Sequence, residues 1–423
     1  MKNFRAIAFL FTANTISGIA QGISMIAIPW HFSKTEDMTR FGIVYGISTI
    51  ISLFWVPYSG TLVDKYNRKH IFQAITGISG LFTLCMGIYG IWSGSLDWWM
   101  IALVFLFTFF NYNIHYPNLY AFMQEITEKK YYGKISSYLE VFGQLASALA
   151  GATAALLLSG VKKGQNSFLG LPLISPIQIE PWSIQQIFLM DGITYVIAFS
   201  LISFIQFTPL TIRSKEVMKL RERIISGWNW LMTNKKILQF GIASYLLFAT
   251  VMLVSFYLCA SYVSLHLNLE GDIYATAEMF YSIGALLSGL FIRYIFRSRK
   301  TAQNIAILTF ITGAFYFSQH FFQSVTLLFI SMLFLGISNA GVRILRVGFL
   351  FENVPNQYYG RVNAVFFLSN LIIRSVFIGL FALPFFLEAQ NFSYTYIIMA
   401  ALLLVATIWC LKLSPHIKMK ERR

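Results

Sequence analysis

Glu125-Ile126-Thr127-Glu128-Lys129-Lys130-Tyr131-Tyr132-Gly133-Lys134-Ile135 returns 227 positions later as Glu352-Asn353-Val354-Pro355-Asn356-Gln357-Tyr358-Tyr359-Gly360-Arg361-Val362. Both copies open on an acid and end on Tyr-Tyr-Gly, a base and an aliphatic residue. Long apolar runs flank each copy. A charged loop that recurs at a fixed offset between such runs describes two parallel repeats of one membrane-spanning unit. A weaker pair, Gly60-x-x-x-Asp64-x-x-x-Arg68 and Gly289-x-x-x-Arg293-x-x-x-Arg297, repeats at 229.

Composition agrees with that reading. Of 423 residues 57% are hydrophobic and only 12% charged, whereas a soluble domain carries about 25% charged residues to face water. The apolar total matches twelve helical crossings at roughly 20 residues each. A membrane barrel would instead show segments of about ten residues with alternating polarity. The fold expected is therefore an all-α integral membrane bundle of twelve helices. They are read at roughly 7–31, 41–63, 71–92, 98–122, 135–159, 187–208, 237–264, 273–296, 302–320, 325–347, 362–387 and 394–412. The first is read as a retained helix, because its apolar run is too long for a secretory signal. Cys85, Cys259 and Cys410 lie far apart and read as small core residues, not a disulfide framework or metal site.

The formal charge of +15 sorts by loop. With both termini cytoplasmic, 27 of the 32 Lys and Arg fall inside, four outside and one, Arg374, within the eleventh helix. This asymmetry is the positive-inside bias, so no nucleic-acid partner is needed to explain the charge. The expected domains are an N-terminal six-helix bundle over 1–208, a basic cytoplasmic linker over 209–236 and a C-terminal six-helix bundle over 237–423. Within the linker, 217–231 reads as a surface helix with Trp228 and Trp230 at headgroup level. The outer stretch 160–186, with three prolines, reads as a partly ordered loop.

The loop Gly60-Thr-Leu-Val-Asp64-Lys65-Tyr-Asn-Arg68-Lys69 resembles the hallmark G-x-x-x-D-[RK]-x-x-R-[RK] of the major facilitator superfamily, with Asn67 where Gly is commoner. Ile28-Pro29-Trp30, Asp191-Gly192, Glu278 followed by Gly284-Ala285-Leu286-Leu287-Ser288-Gly289, and Tyr359-Gly360-Arg361-Val362 resemble its macrolide-efflux and siderophore-exporter group. Helix five keeps the spaced Gly143 and Gly151 but lacks the proline of the Gly-Pro-rich signature common in proton-driven antiporters. The resemblance implies alternating access and a plasma-membrane location, the inner membrane in bacteria. It also implies a gate in which Asp64 meets the cytoplasmic start of helix eleven. Gly60, Lys65, Arg68, Gly133, Gly360 and Arg361 belong to the two matching loops of that gate.

Charged and polar residues inside apolar runs cost a few kcal/mol unless paired or facing water, so each is a candidate site. Glu140 heads a small polar face with Gln144, Ser147 and Gly151. It reads either as a protonatable carboxylate in a central cavity or as a structural hydrogen bond near the inner rim. Arg374 is expected near mid-membrane, either binding an anionic group or pairing with an acid such as Glu140; Asn370 shares its stripe. Glu278 is the better coupling candidate of two acids near helix starts, and Asp191 reads as a cap. His115 stripes helix four with Asn111 and Asn118, and Asn14 and Gln21 stripe helix one. Arg343 and Arg346 read as rim or gate contacts.

No phosphate-cradling loop, paired Cys/His metal spacing or nucleophile elbow occurs, so an enzyme, a metal site and an ATP-driven pump are disfavoured. No cofactor is expected. The sequence points to a secondary transporter that exports an amphiphilic compound, with the proton as coupling ion and membrane lipid as its surroundings. The alternative is uptake or facilitated passage of a small polar or anionic metabolite.

Overall fold

The computed structural model describes residues 3–160, 178–208, 220–296, 300–388 and 390–414. Within these, the side chains of Asp64, Lys129, Lys134, Ser136, Leu220, Arg293 and Asn356, and the surroundings of Gly133, lie outside the described set. The loop expected over 160–186 and the first half of the linker fall largely on undescribed residues.

Among the described residues twelve long helices carry the chain: α1 (Phe4–Lys34), α2 (Met38–Lys65), α3 (Arg68–Ser93), α4 (Trp98–Ile126), α5 (Tyr132–Ser159), α6 (Ile184–Ser203), α7 (Lys235–His266), α8 (Gly271–Ile295), α9 (Thr301–Phe321), α10 (Val325–Asn353), α11 (Asn356–Phe381) and α12 (Tyr394–Leu413). All but α9 are long and apolar enough to cross a membrane. Its 21 residues have the length, about 31 Å at 1.5 Å per residue. The apolar average is diluted by Asn304, Thr309, Thr312 and Gln319, which are buried inside the protein and spared contact with lipid. The helices begin up to six residues before the positions read from hydropathy, because polar first turns carry no apolar signal.

Sequence-local chemistry sets these ends. The Asn67 side chain accepts the Lys69 amide at the start of α3, and Ser183 and Gln186 form a reciprocal capping box at the start of α6. Gly94, at φ 81°, ends α3 in a left-handed conformation. Pro117 removes one donor inside α4, and the Asn113 carbonyl left over lies 3.4 Å from the Ser59 hydroxyl of α2.

The chain forms two compact units. Unit one holds Met1–Asp37, Phe54–Val217 and Glu270–Met279; unit two holds Met38–Leu53, Met218–Leu269 and Phe280–Arg423. The halves expected from the repeat thus exchange two segments: the first part of α2 counts with unit two and the first part of α8 with unit one. In unit one α3 lies along α6, and in unit two α9 lies along α12, matching partners one repeat apart. Glycine admits the closest approaches. A Cβ on Gly192 of α6 would stand 2.6 Å from the Leu84 backbone of α3, and one on Gly336 of α10 would stand 2.0 Å from the Tyr281 carbonyl oxygen of α8.

Unit two also carries the linker helix, Leu220–Thr233. It packs where Gly227 meets the Arg361 carbonyl, with Arg361 donating to the Ser226 hydroxyl and Trp230 stacked on Tyr358 at 5.8 Å. Trp228 is exposed, whereas Trp230 is held against α11. Of the cysteines, Cys259 and Cys410 are buried but Cys85 is exposed, correcting its reading as a core residue.

The glycine contact gives a direct stability test. Gly336→Leu should lower the unfolding free energy by about 3 kcal/mol or more through overpacking. Gly379→Ala, whose added Cβ meets nothing within 4 Å, should leave it nearly unchanged. Thermal unfolding of detergent-purified protein, read by size exclusion, measures both.

Candidate functional site

Three of the expected site residues meet in unit one. Asn14 and Gln21 of α1 and His115 of α4 line a polar pocket of about 30 Å³, completed by Ser147 of α5, Tyr116 and Tyr195. His115 Nε2 lies 2.7 Å from Asn14 Oδ1, and its ring packs edge-on against Phe72. The volume holds a water molecule or two, far less than the roughly 300–1,000 Å³ of a drug-sized site. The pocket itself is water-sized and polar-lined.

Beside it on α5, Gln144 donates to Glu140 at 3.3 Å, and the Tyr120 hydroxyl of α4 reaches the other carboxylate oxygen at 3.5 Å. Tyr120 ends an exposed aromatic stripe with Tyr112 and Tyr116 at i−8 and i−4, their rings 4.7 Å apart. The same stripe lines the polar pocket and touches a carboxylate, so it is not a plain lipid-facing surface. Periodicity in the sequence contains these tyrosines, but nothing there separates them from the other aromatic residues of α4. Phe109, by contrast, is buried against Phe105, and Phe107 pairs with Phe82 at 4.3 Å.

The hallmark loop is built into unit one. Arg68, at the start of α3, donates to the Ala121 carbonyl at 2.7 Å and to Glu125 at 3.2 Å. Lys69 donates to the Ser203 and Ile205 carbonyls at the end of α6, a helix end where a cation is favoured. Lys69 is therefore a staple between α3 and α6, not ordinary loop charge. Lys65 lies over the Tyr66 ring, and Cβ atoms on Gly60 or Gly360 would meet nothing within 4 Å. Asp64 and Gly133 lie outside the described residues beyond their places in α2 and α5. In the repeated loop, Lys130 donates to Glu128 at 3.0 Å, and this bond raises its pKa above the ordinary lysine value.

Among the described residues, the buried charges of unit two are arginines. Because α11 starts at Asn356, Arg374 lies about 27 Å along it and about 10 Å from its Phe381 end. Its guanidinium is buried and lies 5.6 Å from the Tyr45 ring. Asn370, also buried, donates to the Tyr245 carbonyl and ties α11 to α7. Arg346 is not a rim residue: it is buried, donates to the Ser244 carbonyl and stacks on Tyr245 at 3.5 Å. The Tyr45 hydroxyl donates to the Met252 carbonyl, just before the first of two π-helical stretches in α7, Val254–Leu258 and Tyr262–His266. Glu278 is half-buried, one residue before α8 passes from unit one to unit two.

Asp191 departs furthest from expectation. It is fully buried in the third turn of α6, and accepts the Ser24 hydroxyl of α1 at 2.7 Å. The capping role belongs to Ser183. Reading Ser183-Ile-Gln-Gln186 as a capping box places the helix start correctly and Asp191 inside it.

The Major Facilitator Superfamily profile matches residues 10–377. Among solved structures, a mutant of the nucleoside transporter NupG is 15% identical, with a TM-score of 0.71 over 96% of this chain and 99% of that one. A bacterial homologue of the iron transporter ferroportin, inward-facing, is 13% identical with a TM-score of 0.72 over 98% and 100%. A bacterial homologue of the lysosomal transporter Spinster, also inward-facing, is 12% identical with a TM-score of 0.70 over 99% and 98%. No curated protein sequence matches. These likenesses concern the fold.

The buried ion pair yields a stability prediction. Glu125→Ala leaves Arg68 without its carboxylate and should cost about 3–5 kcal/mol. Arg68→Ala in the same background should cost much less than it does alone, and a double-mutant cycle on the unfolding midpoint measures the coupling.

Proposed function

The chain belongs to the major facilitator superfamily and is a multi-pass membrane transport protein for a small molecule, not an enzyme; on that footing we propose that it exports an amphiphilic compound by alternating access, driven by the proton gradient. A macrolide-like drug or a siderophore is the expected cargo. The observation that carries the reading is the Tyr112–Tyr116–Tyr120 stripe ending at Glu140. Aromatic faces beside one carboxylate suit a large apolar molecule bearing a cationic amine, through apolar burial and cation–π attraction. This favours the macrolide-like cargo over an anionic siderophore. The water-sized pocket alongside supplies groups that suit proton movement, and Glu140, His115 and Glu278 are the candidate coupling residues.

The gate expected around Asp64, Lys65, Gly60, Gly133, Gly360 and Arg361 follows from family membership. Arg68 serves it by fixing the start of α3 to the end of α4. The domain plan, two six-helix bundles and a basic linker, fits the repeat, with both termini on the cytoplasmic side of the plasma membrane.

A second reading rests on one observation in unit two. Arg374 holds in α11 the position that Ser147 holds in α5 at the repeat offset of 227, and Ser147 lines the polar pocket. A buried arginine at that place suits a small polar or anionic metabolite.

Cells producing the protein should accumulate less erythromycin than cells without it, and a protonophore should abolish the difference. Glu140→Gln should weaken export about tenfold or more, the equivalent of about 1.4 kcal/mol. Unchanged accumulation in the wild type, together with transport of a small organic anion that Arg374→Ala abolishes, would decide for the second reading.

A further inference from the structure

The buried carboxyl of Asp191 has no role in the proposal so far. Its Oδ2 accepts the Ser24 hydroxyl at 2.7 Å, and its Oδ1 has no hydrogen-bond partner. The groups around it are few. From α6 itself comes Tyr195, one turn on, whose hydroxyl accepts from Asn111; from α1 comes Ser24; from α3, where Leu84 meets Gly192, nothing ionisable touches it. No cation pairs with it among the described residues. A carboxylate with full charge in such a place costs several kcal/mol, so a structural role for the charged form is expensive. A core apolar residue or an asparagine would pack there more cheaply.

Its position relative to the polar pocket gives the carboxyl a use. Two pocket-lining residues, Gln21 on α1 and Tyr195 on α6, each stand one helical turn from one member of the Ser24–Asp191 pair. Ser24 and Asp191 are not in the pocket wall themselves but lie one turn beyond it, at what becomes the far end of a polar track. The near end is Glu140 and Gln144, next to the pocket wall formed by Gly143 and Ser147. Between them lie the His115–Asn14 contact and room for a water molecule or two. Acid, water-sized pocket and buried acid in series are the parts of a proton relay inside a membrane.

We propose that Asp191 is a proton-binding site of unit one, reached from Glu140 through the Asn14–Gln21–His115 pocket, and that it stores the proton whose movement drives transport. Loading forms one O–H bond on the carboxyl from a proton delivered by pocket water, and unloading reverses it; no other bond changes. The drive rests on the transport reading above, but the presence of the proton does not.

The test separates the two. Infrared spectra of the full chain in lipid vesicles, taken across a pH series, should show a protonated-carboxyl stretch at neutral pH that Asp191→Asn removes and Asp191→Glu restores at a shifted frequency. Identical spectra for wild type and Asp191→Asn across the series would overturn the proposal, whatever the transport activity. In vesicles loaded with erythromycin, Asp191→Asn should lose pH-gradient-driven movement but keep exchange down the drug's own gradient. Loss of both with a folded, monodisperse protein would mean a structural role and overturn the storage of the driving proton. Absence of erythromycin movement in the wild type would instead count against the transport reading and leave the infrared result standing.

Discussion

A polar group inside a bilayer has no water to turn to, so it must find its partner within the protein. Much of the local structure follows from this constraint. It makes the backbone helical, and it decides what happens where a helix is interrupted or ends. Pro117 strips a donor from the Asn113 carbonyl, and Ser59 of a neighbouring helix approaches it. The end of α6 leaves carbonyls facing nothing, and Lys69 reaches them from the start of α3. The residues of the hallmark loop are thus tied down by the same rule that shapes the helices. Arg68 is held in place at the start of α3 by Ala121 and Glu125.

The repeat and the gross fold were legible because they rest on long-range averages: apolar runs and a duplicated loop. What could not be read was which polar residue touches which. Asp191 shows the reason. Hydropathy placed the start of its helix at 187, so the acid fell in a first turn and a cap was the economical reading. The capping box at Ser183 moves the start by three residues and turns the same acid into a buried one. The start of α11, six residues before its apolar run, was missed for the same reason. Helix ends are often polar, so a hydropathy reading trimmed α3, α6 and α11.

The stripes fared differently. Asn14, Gln21 and His115 share a pocket, as helical spacing on two helices allows but cannot require. Asn370 follows its stripe on α11 yet spends its donor on the Tyr245 carbonyl. Spacing within one helix fixes a face; only the packing of neighbours decides whether that face meets water or another backbone.

Duplication explains the scaffold and leaves the chemistry to divergence. At the offset of 227, Glu140 of α5 corresponds to Phe367 of α11, Ser147 to Arg374, and Leu119 of α4 to Arg346 of α10. The loops between these helices kept part of their sequence while the interiors diverged in charge. Unit one holds buried or half-buried acids at Glu125, Glu140 and Asp191; unit two holds buried arginines at Arg346 and Arg374. Two identical halves would present a substrate and a proton with the same surroundings from either side. Interiors that differ in charge give them different ones: on the proposed reading, the acids of unit one suit a cationic group and a proton, and the arginines of unit two attract an anion or repel the cation. Transport with a direction and a driving ion needs such inequality, because a ligand shifts an equilibrium only by the difference in its affinity for two states. On the proposed mechanism the residues that break the repeat, such as Glu140 and Arg374, are where that difference would be made.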